Sequence, residues 1–496
     1  MSSTIASELQ LLRETKADIA DALESKHAVV PEHFADYGNA IRNIPQNEAP
    51  NIQNPIKFVD YDGTLLYSYG VQAALALEEL PELPTRPGLT NQGWNYTLAQ
   101  LKTQVQTIGK AIVGCNYITT DGRTRFHITI PNSTFSLFKI GIAQTKTKTL
   151  VIDWGDGTVE GEFGSTTYNI RSHQYSPSSY PASYVIEVYG INGGLPNLAG
   201  AVVGSAGGST TSNPGQNNIT TQVTALGCMF DEIEVGEVAP TLGPNAFRWI
   251  TSVRTINIPR CITTLGQQCL GGLDAAKGLV IPSSVTTVNN SIFAYCYATE
   301  MISLPPTITA ITTTMFQNCN ALMELVVPYS VTSIGERCFQ NCGAMQDLKF
   351  PAAVTAIPSQ VFQSCAAMPR ADFLGTVASI GTSAFNGCNS LKEFTVGSGV
   401  TSIESSTFSG CNAIQRITFL GDIASIATKA FNACYGCRVF DFRNNTQVPT
   451  LVSDAFSNTP SNKKIIVPDS LYTDWYGATG WSTYQSSIVK ASEANI

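Results

Sequence analysis

Between residues 247 and 456 the apolar positions of this chain fall into columns. Phe247, Leu270, Phe293, Phe316, Phe339, Phe362, Phe385, Phe408 and Phe431 recur every 23 residues, and Phe456 follows after 25. Five residues before the anchors stand Leu265, Val288, Ile311, Ile334, Ile357, Ile380, Ile403 and Ile426. Eight before them stand Ile262, Val285, Ile308, Val331, Val354, Val377, Val400 and Ile423. Pairs such as Leu325/Val327, Leu348/Phe350, Phe394/Val396 and Ile417/Phe419 follow nine and eleven residues after the anchors. A spacing of two predicts a short strand with one buried face. The prolines that often come next (Pro259, Pro282, Pro305, Pro328, Pro351) end pairing, because proline has no N–H to donate. The intervening turn, which carries Phe-x-x-Cys, is expected to be a short helix or 3₁₀ turn that closes each coil.

One unit of this kind cannot bury its own apolar face, so about ten stack into a solenoid. Cys296, Cys319, Cys342, Cys365, Cys388, Cys411 and Cys434 stand three residues after seven of the anchors. Stacked coils place such sulfurs about 5 Å apart. Zinc sites need clustered pairs, and Cys434-x-x-Cys437 has no second pair nearby. The column is therefore read as buried free thiols packing as small hydrophobes. No metal ligands and no cofactor are assigned.

Val331-Thr332-Ser333-Ile334, Phe339, Cys342, Met345, Leu348 and Phe350-Pro351 resemble the BspA-type leucine-rich repeat family. The resemblance covers about residues 230–468, within a solenoid expected over 223–468. It implies an extracellular or virion-borne adhesion protein without catalysis. The segment 469–496, with Tyr472, Trp475, Trp481 and Tyr484, is similar to the family's C-terminal cap, which would cover the last coil and its open sheet edge. Alternation along the strands predicts an outward row: Glu324, Asp347, Lys349, Arg370, Asp372, Glu393, Thr395, Arg416 and Thr418. This row is the candidate binding face, set against its reading as a merely solvated surface. Charge reversal at Arg370 and Arg416 is expected to weaken target binding without lowering thermal stability.

Ahead of the repeats, Ile5, Leu9, Leu12, Lys16, Ile19 and Leu23 follow the spacing of a coiled-coil seam with one polar interruption. Such a helix either packs on its own chain or oligomerises it as a dimer or trimer. Residues 1–45 are read as a helical attachment segment and 46–55 as a linker. Residues 56–125 are read as a small α+β domain, with Ile56–Val59 and Leu65–Tyr69 flanking an Asp62-Gly63 hairpin turn and a helix around 96–108. The stretches 11–41 and 57–128 resemble modules of phage and prophage tail-associated proteins. Asp60-Tyr61-Asp62-Gly63-Thr64-Leu65 matches the nucleophile motif of haloacid-dehalogenase-like phosphatases. The other parts of that fold do not follow within the next 65 residues, so the motif is read as the hairpin turn.

Residues 126–222 are read as a β-sandwich ending in a Gly/Ser-rich loop. Trp154-Gly155-Asp156-Gly157, His173-Gln174-Tyr175 and Tyr184–Val188 resemble PKD-type domains, with Trp154 packed beneath a tight turn. Calcium at Asp153/Asp156 is an open alternative with few acidic ligands. Gly200–Gly204 lacks the Gly-Lys-Ser/Thr of a phosphate loop.

Composition narrows the function. Charged residues make up 13% of 496, and the net charge is −8. Residues 247–460 hold 12 Lys and Arg against 11 Asp and Glu, so no basic stripe marks a nucleic-acid surface. His27, His33, His127 and His173 are scattered, and none offers a nucleophile its base within the repeats. No apolar run approaches a membrane span, and the N-terminus reads as having no export leader. Leu83-Pro84-Thr85-Arg86-Pro87-Gly88 only superficially resembles a sortase signal. A mainly β, multidomain, non-enzymatic protein is expected: a phage tail-tip or fibre component. Its 1–45 segment would engage other virion proteins, two small domains would form a stalk, and the solenoid would meet a host-surface glycan or protein. A bacterial surface adhesin or a virion decoration are the alternatives.

Overall fold

The computed structural model describes residues 54–494 except 132, 134–136, 147, 164–168, 199–202 and 206–228. The seam Ile5, Leu9, Leu12, Ile19, Leu23 and nearly all of the linker lie outside the described residues. The fold is mainly β and ends in the expected solenoid.

The first unit contains β1 (Ile56–Val59), β2 (Leu65–Tyr69), α1 (Val71–Ala76), β3 (Leu89–Trp94), α2 (Leu98–Ile108) and β4 (Ala111–Thr119), with strand order β2-β1-β4-β3. The β1–β2 hairpin closes through the Asp60 amide on the Thr64 carbonyl at 2.8 Å, with Gly63 at φ 91°. Helix α2 opens on a reciprocal cap. The Thr97 hydroxyl accepts from the Gln100 amide, the Gln100 side chain accepts from the Thr97 amide, and Gly109 ends the helix in the left-handed region.

The second unit is a two-sheet sandwich. Its elements are β5 (Thr124–Ile130), β6 (Leu137–Gln144), β7 (Leu150–Asp153), β8 (Val159–Phe163), β9 (Asn169–Gln174), β10 (Ala182–Gly190), β11 (Pro196–Asn197), β12 (Val203–Ser205) and β13 (Met229–Glu234). One sheet runs β13-β5-β10-β7-β8, and the other joins β11, β12 and β9 around β6. Strand β13 lies in a stretch expected to be solenoid. It pairs antiparallel with β5 on one edge and parallel with Thr255–Ile256 of an early coil on the other. A single hydrophobic core therefore runs from Phe126 through the repeats to Ile488.

Each coil has an inner two-residue strand such as Ser333–Ile334 and an outer strand such as Leu348–Phe350, paired in parallel at a shift of 23 residues. The anchor rings stack along the axis: Phe316, Phe339 and Phe362 lie 5.4 and 5.6 Å apart with planes within 3°. The turn around each anchor is not the expected helix. Residues two before and two after the anchor are left-handed, as at Arg337 and Asn341 (φ 55° and 61°). Left- and right-handed residues thus alternate, and every second amide points along the stack. Arg337, Phe339 and Asn341 donate to the carbonyls of Ser359, Val361 and Gln363 in the next coil at 3.2, 3.1 and 2.8 Å. A helix would have spent those amides within the coil, leaving the coils unbonded at this corner.

The cysteine column has a polar duty as well as an apolar one. The Cys342 thiol donates to the Phe316 carbonyl at 3.1 Å and the Cys365 thiol to the Phe339 carbonyl at 3.0 Å, and Cys319, Cys388, Cys411 and Cys434 repeat the contact. Every cysteine in this column is buried and free. At the far end Trp475 and Trp481 are buried against Phe442 and Phe456, and the Trp481 indole donates to Pro449.

The α+β unit does not stand off from the repeats as a stalk domain would. The α+β unit lies along the outer strands of the early coils, where Val59 and Ile112 meet Val280 and Met301. Gly114 makes this approach possible, since a Cβ there would fall 2.3 Å from Val280 Cγ1. Side-chain amides complete the seam. Asn95 donates to the Ile281 carbonyl at 3.0 Å and to the Ser303 hydroxyl at 2.9 Å, and Ser303 donates to the Ile112 carbonyl at 2.7 Å. Gln104 donates to the Val327 carbonyl and accepts from the Tyr329 amide at 2.7 Å. Outer-strand residues that alternation turns outward are covered here, because a second domain supplies the partners that water would otherwise give.

Candidate functional site

The outer column is where a partner can reach successive coils. From Gly278 onward it divides, among the described residues, into three sheets, with breaks after Glu324–Leu325 and after Ala371–Phe373. At the second break lies a cleft of about 540 Å³, floored by Ala371 and Phe394 and walled by Lys349, Arg370, Asp372, Glu393, Thr395 and Leu420. That size falls in the range of ligand-holding clefts.

Five residues of the sequence-derived row meet in this cleft: Lys349, Arg370, Asp372, Glu393 and Thr395. Arg370 spans two carboxylates, 3.1 Å from Asp372 Oδ2 and 3.8 Å from Asp347 Oδ2. Its side chain is 59% exposed, so these pairs cost little to exchange for a partner's groups. The wall thus alternates cation and anion across neighbouring strands, with Lys349 opposite Asp372 in register.

The remaining members of the row have other duties. Glu324 is bound to Lys57 of the α+β unit at 2.6 Å. Arg416 donates to Asp441, whose side chain is 1% exposed, and Arg443 holds the same carboxylate at 2.9 Å. Arg416 also donates to the Thr418 hydroxyl at 3.1 Å. Alternation along a strand gives which way a side chain leaves the backbone, but not what it meets there.

Two apolar contributors were missed: Leu374 and Leu420, 43% and 49% exposed on the cleft rim. A signal for them does exist. They occupy the column that holds Pro305, Pro328 and Pro351 in earlier coils, and Gly397 stands in that column between them.

The other two motifs are built into turns. Asp60 is fully buried and takes hydrogen bonds from Arg86, from the Tyr61 amide at 2.9 Å and from the Cys115 thiol at 3.1 Å. Its oxygens are occupied as a buried turn requires. At the second, Asp153 accepts from the Gly155 amide at 2.9 Å, and Asp156 accepts from the Thr158 amide at 3.0 Å and from His173 at 2.7 Å. Trp154 is buried and stacks on His173 with centroids 5.1 Å apart. Partial burial works to raise the Asp156 carboxyl, but His173 and the Thr158 amide outweigh it and hold it below its usual range.

Residues 240–369 and 355–474 match the model of the BspA type leucine rich repeat region, in six copies covering just under half of the chain. No curated protein matches it. Among solved structures, a leucine rich cell surface protein from Faecalibacterium prausnitzii is 24% identical, with a TM-score of 0.31 over 49% of this chain and 78% of that one. A leucine-rich repeat protein from Bacteroides ovatus is 18% identical, with a TM-score of 0.25 over 48% and 84%. The Treponema pallidum leucine rich repeat protein is 21% identical, with a TM-score of 0.27 over 42% and 84%.

Proposed function

We propose that this chain is a non-enzymatic adhesion protein that recognises a glycan or protein on a cell surface through the cleft at Lys349, Arg370, Asp372, Glu393 and Thr395. The observation that carries the reading is the coincidence of the break in the outer column with exposed charges of both signs and the two rim leucines. Charges there steer and orient a polar partner, while apolar rim contacts slow its departure. Repeat solenoids characteristically bind through such extended strand surfaces. The match of residues 240–474 to a BspA-type repeat region supports a surface protein of adhesin type.

For the carrier, we favour a phage tail tip or fibre. The segment 1–45 would attach it to other virion proteins as a dimer or trimer, and the PKD-like sandwich would brace the solenoid. The resemblance of residues 11–41 and 57–128 to tail-associated modules supports this. Gold-labelled antibody to residues 239–469 tests it on lysates and intact cells of the producing strain. Label on tail tips is expected; label confined to cell envelopes would replace the virion by a cell-surface location.

The recognition reading is tested by measuring attachment of the purified full chain to intact bacterial cells, beside the double variant K349E/R370E. Attachment should fall about tenfold, equivalent to about 1.4 kcal/mol, at an unchanged melting temperature. Equal attachment by both folded proteins would sink the assignment to this cleft.

A further inference from the structure

On the outer face of the six-stranded sheet, away from the cleft, three metal-competent side chains converge. His127 leaves β5, and Glu232 and Glu234 leave β13. One ligand atom from each lies within 4.8 Å of the others. The convergence has a local cause. The pairing of β13 with β5 slips between Phe230 and Glu232, which places Glu232 opposite His127 and Glu234 opposite Arg125. Without that bulge the two carboxylates would face the opposite side of the sheet.

The hydrogen bonds of the cluster are incomplete. His127 Nε2 is shut off from solvent, and no hydrogen bond of good length reaches it. Glu234 Oε2 stands 3.5 Å away, beyond good hydrogen-bond length. The Tyr61 phenol donates to Glu232 Oε1 at 2.9 Å, which orients that carboxylate as outer partners orient metal ligands. The nearest competing cation is Arg125, 3.8 Å from Glu234 Oε2, and it is already engaged by Glu187 at 2.8 Å and by Asp121.

We propose that His127, Glu232 and Glu234 bind one divalent first-row transition ion, which staples β5 to β13. One imidazole with two carboxylates suits zinc, manganese or cobalt better than calcium or magnesium, which prefer oxygen alone. Three protein ligands leave open positions for water. The place gives the ion its use, because β13 is bonded to the sandwich on one edge and to the strand Thr255–Ile256 on the other. An ion there stiffens the joint between sandwich and solenoid.

The test is titration of the chelator-stripped full chain with cobalt(II) as the metal alone. Ligand-field absorption and melting temperature are followed together. One saturable equivalent with a rising melting temperature is expected. Affinity should drop by roughly tenfold or more in H127A and again in E232Q, whose shape is conserved. Circular dichroism of the stripped variants establishes folding. Equal affinity in both folded variants, no saturable binding to the native chain, or an intense sulfur-to-cobalt band reporting thiol ligands would each overturn the site.

Discussion

Arg416 and Asp441 form a pair in which an exposed strand position holds a buried charge. Arg416, 36% exposed, reaches across to the adjacent coil and donates to a carboxylate whose side chain is 1% exposed. Reversing Arg416 leaves Asp441 to Arg443 alone and brings a like charge beside it. R416E should cost about 3 kcal/mol, as breaking buried pairs does. R370E should cost less than about 1 kcal/mol, because Arg370 is itself 59% exposed and both of its partners are partly open to solvent. Thermal melts of the two variants check this. Equal melting temperatures would show that Asp441 does not depend on Arg416, as alternation alone suggests.

The docking of the α+β unit rests on a missing side chain. A Cβ at position 114 would meet Val280 at 2.3 Å. G114V should loosen the unit from the outer column at a cost of about 1–3 kcal/mol, and V280A should recover part of it. Limited proteolysis reads the release as faster cleavage between residues 54 and 123. An unchanged digestion pattern would mean that the contact yields without separating.

The column thiols should be silent towards a disulfide reagent in the native chain. Burial pushes the Cys365 thiol up to about 12 and raises Cys342, Cys388 and Cys411 as well, while the thiolate is the reactive form. C365A should cost about 1–3 kcal/mol, the lost packing together with a lost donor to Phe339. C365D should prevent folding, since it buries a charge with no counterion. Thiol titration before and after denaturation, with melts of the variants, measures both effects.

Acid should weaken the sandwich through Asp156. Its folded carboxyl lies below the usual range, so it binds protons more weakly folded than unfolded. Its contribution is therefore complete above the unfolded value of about 3.9 and is lost as pH falls through the folded one. The difference in melting temperature between the native chain and D156N should be present at neutral pH and shrink below about pH 4. A difference independent of pH would assign the effect to packing around Trp154 and not to charge.

Part of the cleft lining is legible in the sequence. Alternation turns Lys349, Arg370, Asp372, Glu393 and Thr395 outward, and these five residues line one cleft. Alternation missed the duties of Glu324 and Arg416, because Lys57 lies 267 residues from Glu324 and Asp441 belongs to the next coil. The sequence reads the turn at each anchor as helical because its left-handed residues include Arg337, Thr314 and Lys429. Such side chains do not announce that conformation as glycine or asparagine would. The His127 cluster was invisible for another reason: a one-residue slip in pairing leaves no mark on composition.

The sequence alone determined the coil length, the apolar columns and the buried thiols, because each rests on a repeated local choice that every neighbouring coil reinforces. Tertiary structure decided what covers the outer strands, where their ladder breaks and which exposed charges are already committed. What covers the outer strands depends on contacts between residues 100 to 270 positions apart, such as Tyr61 with Glu232, Gly114 with Val280 and Lys57 with Glu324. No periodic pattern encodes a partner that occurs once.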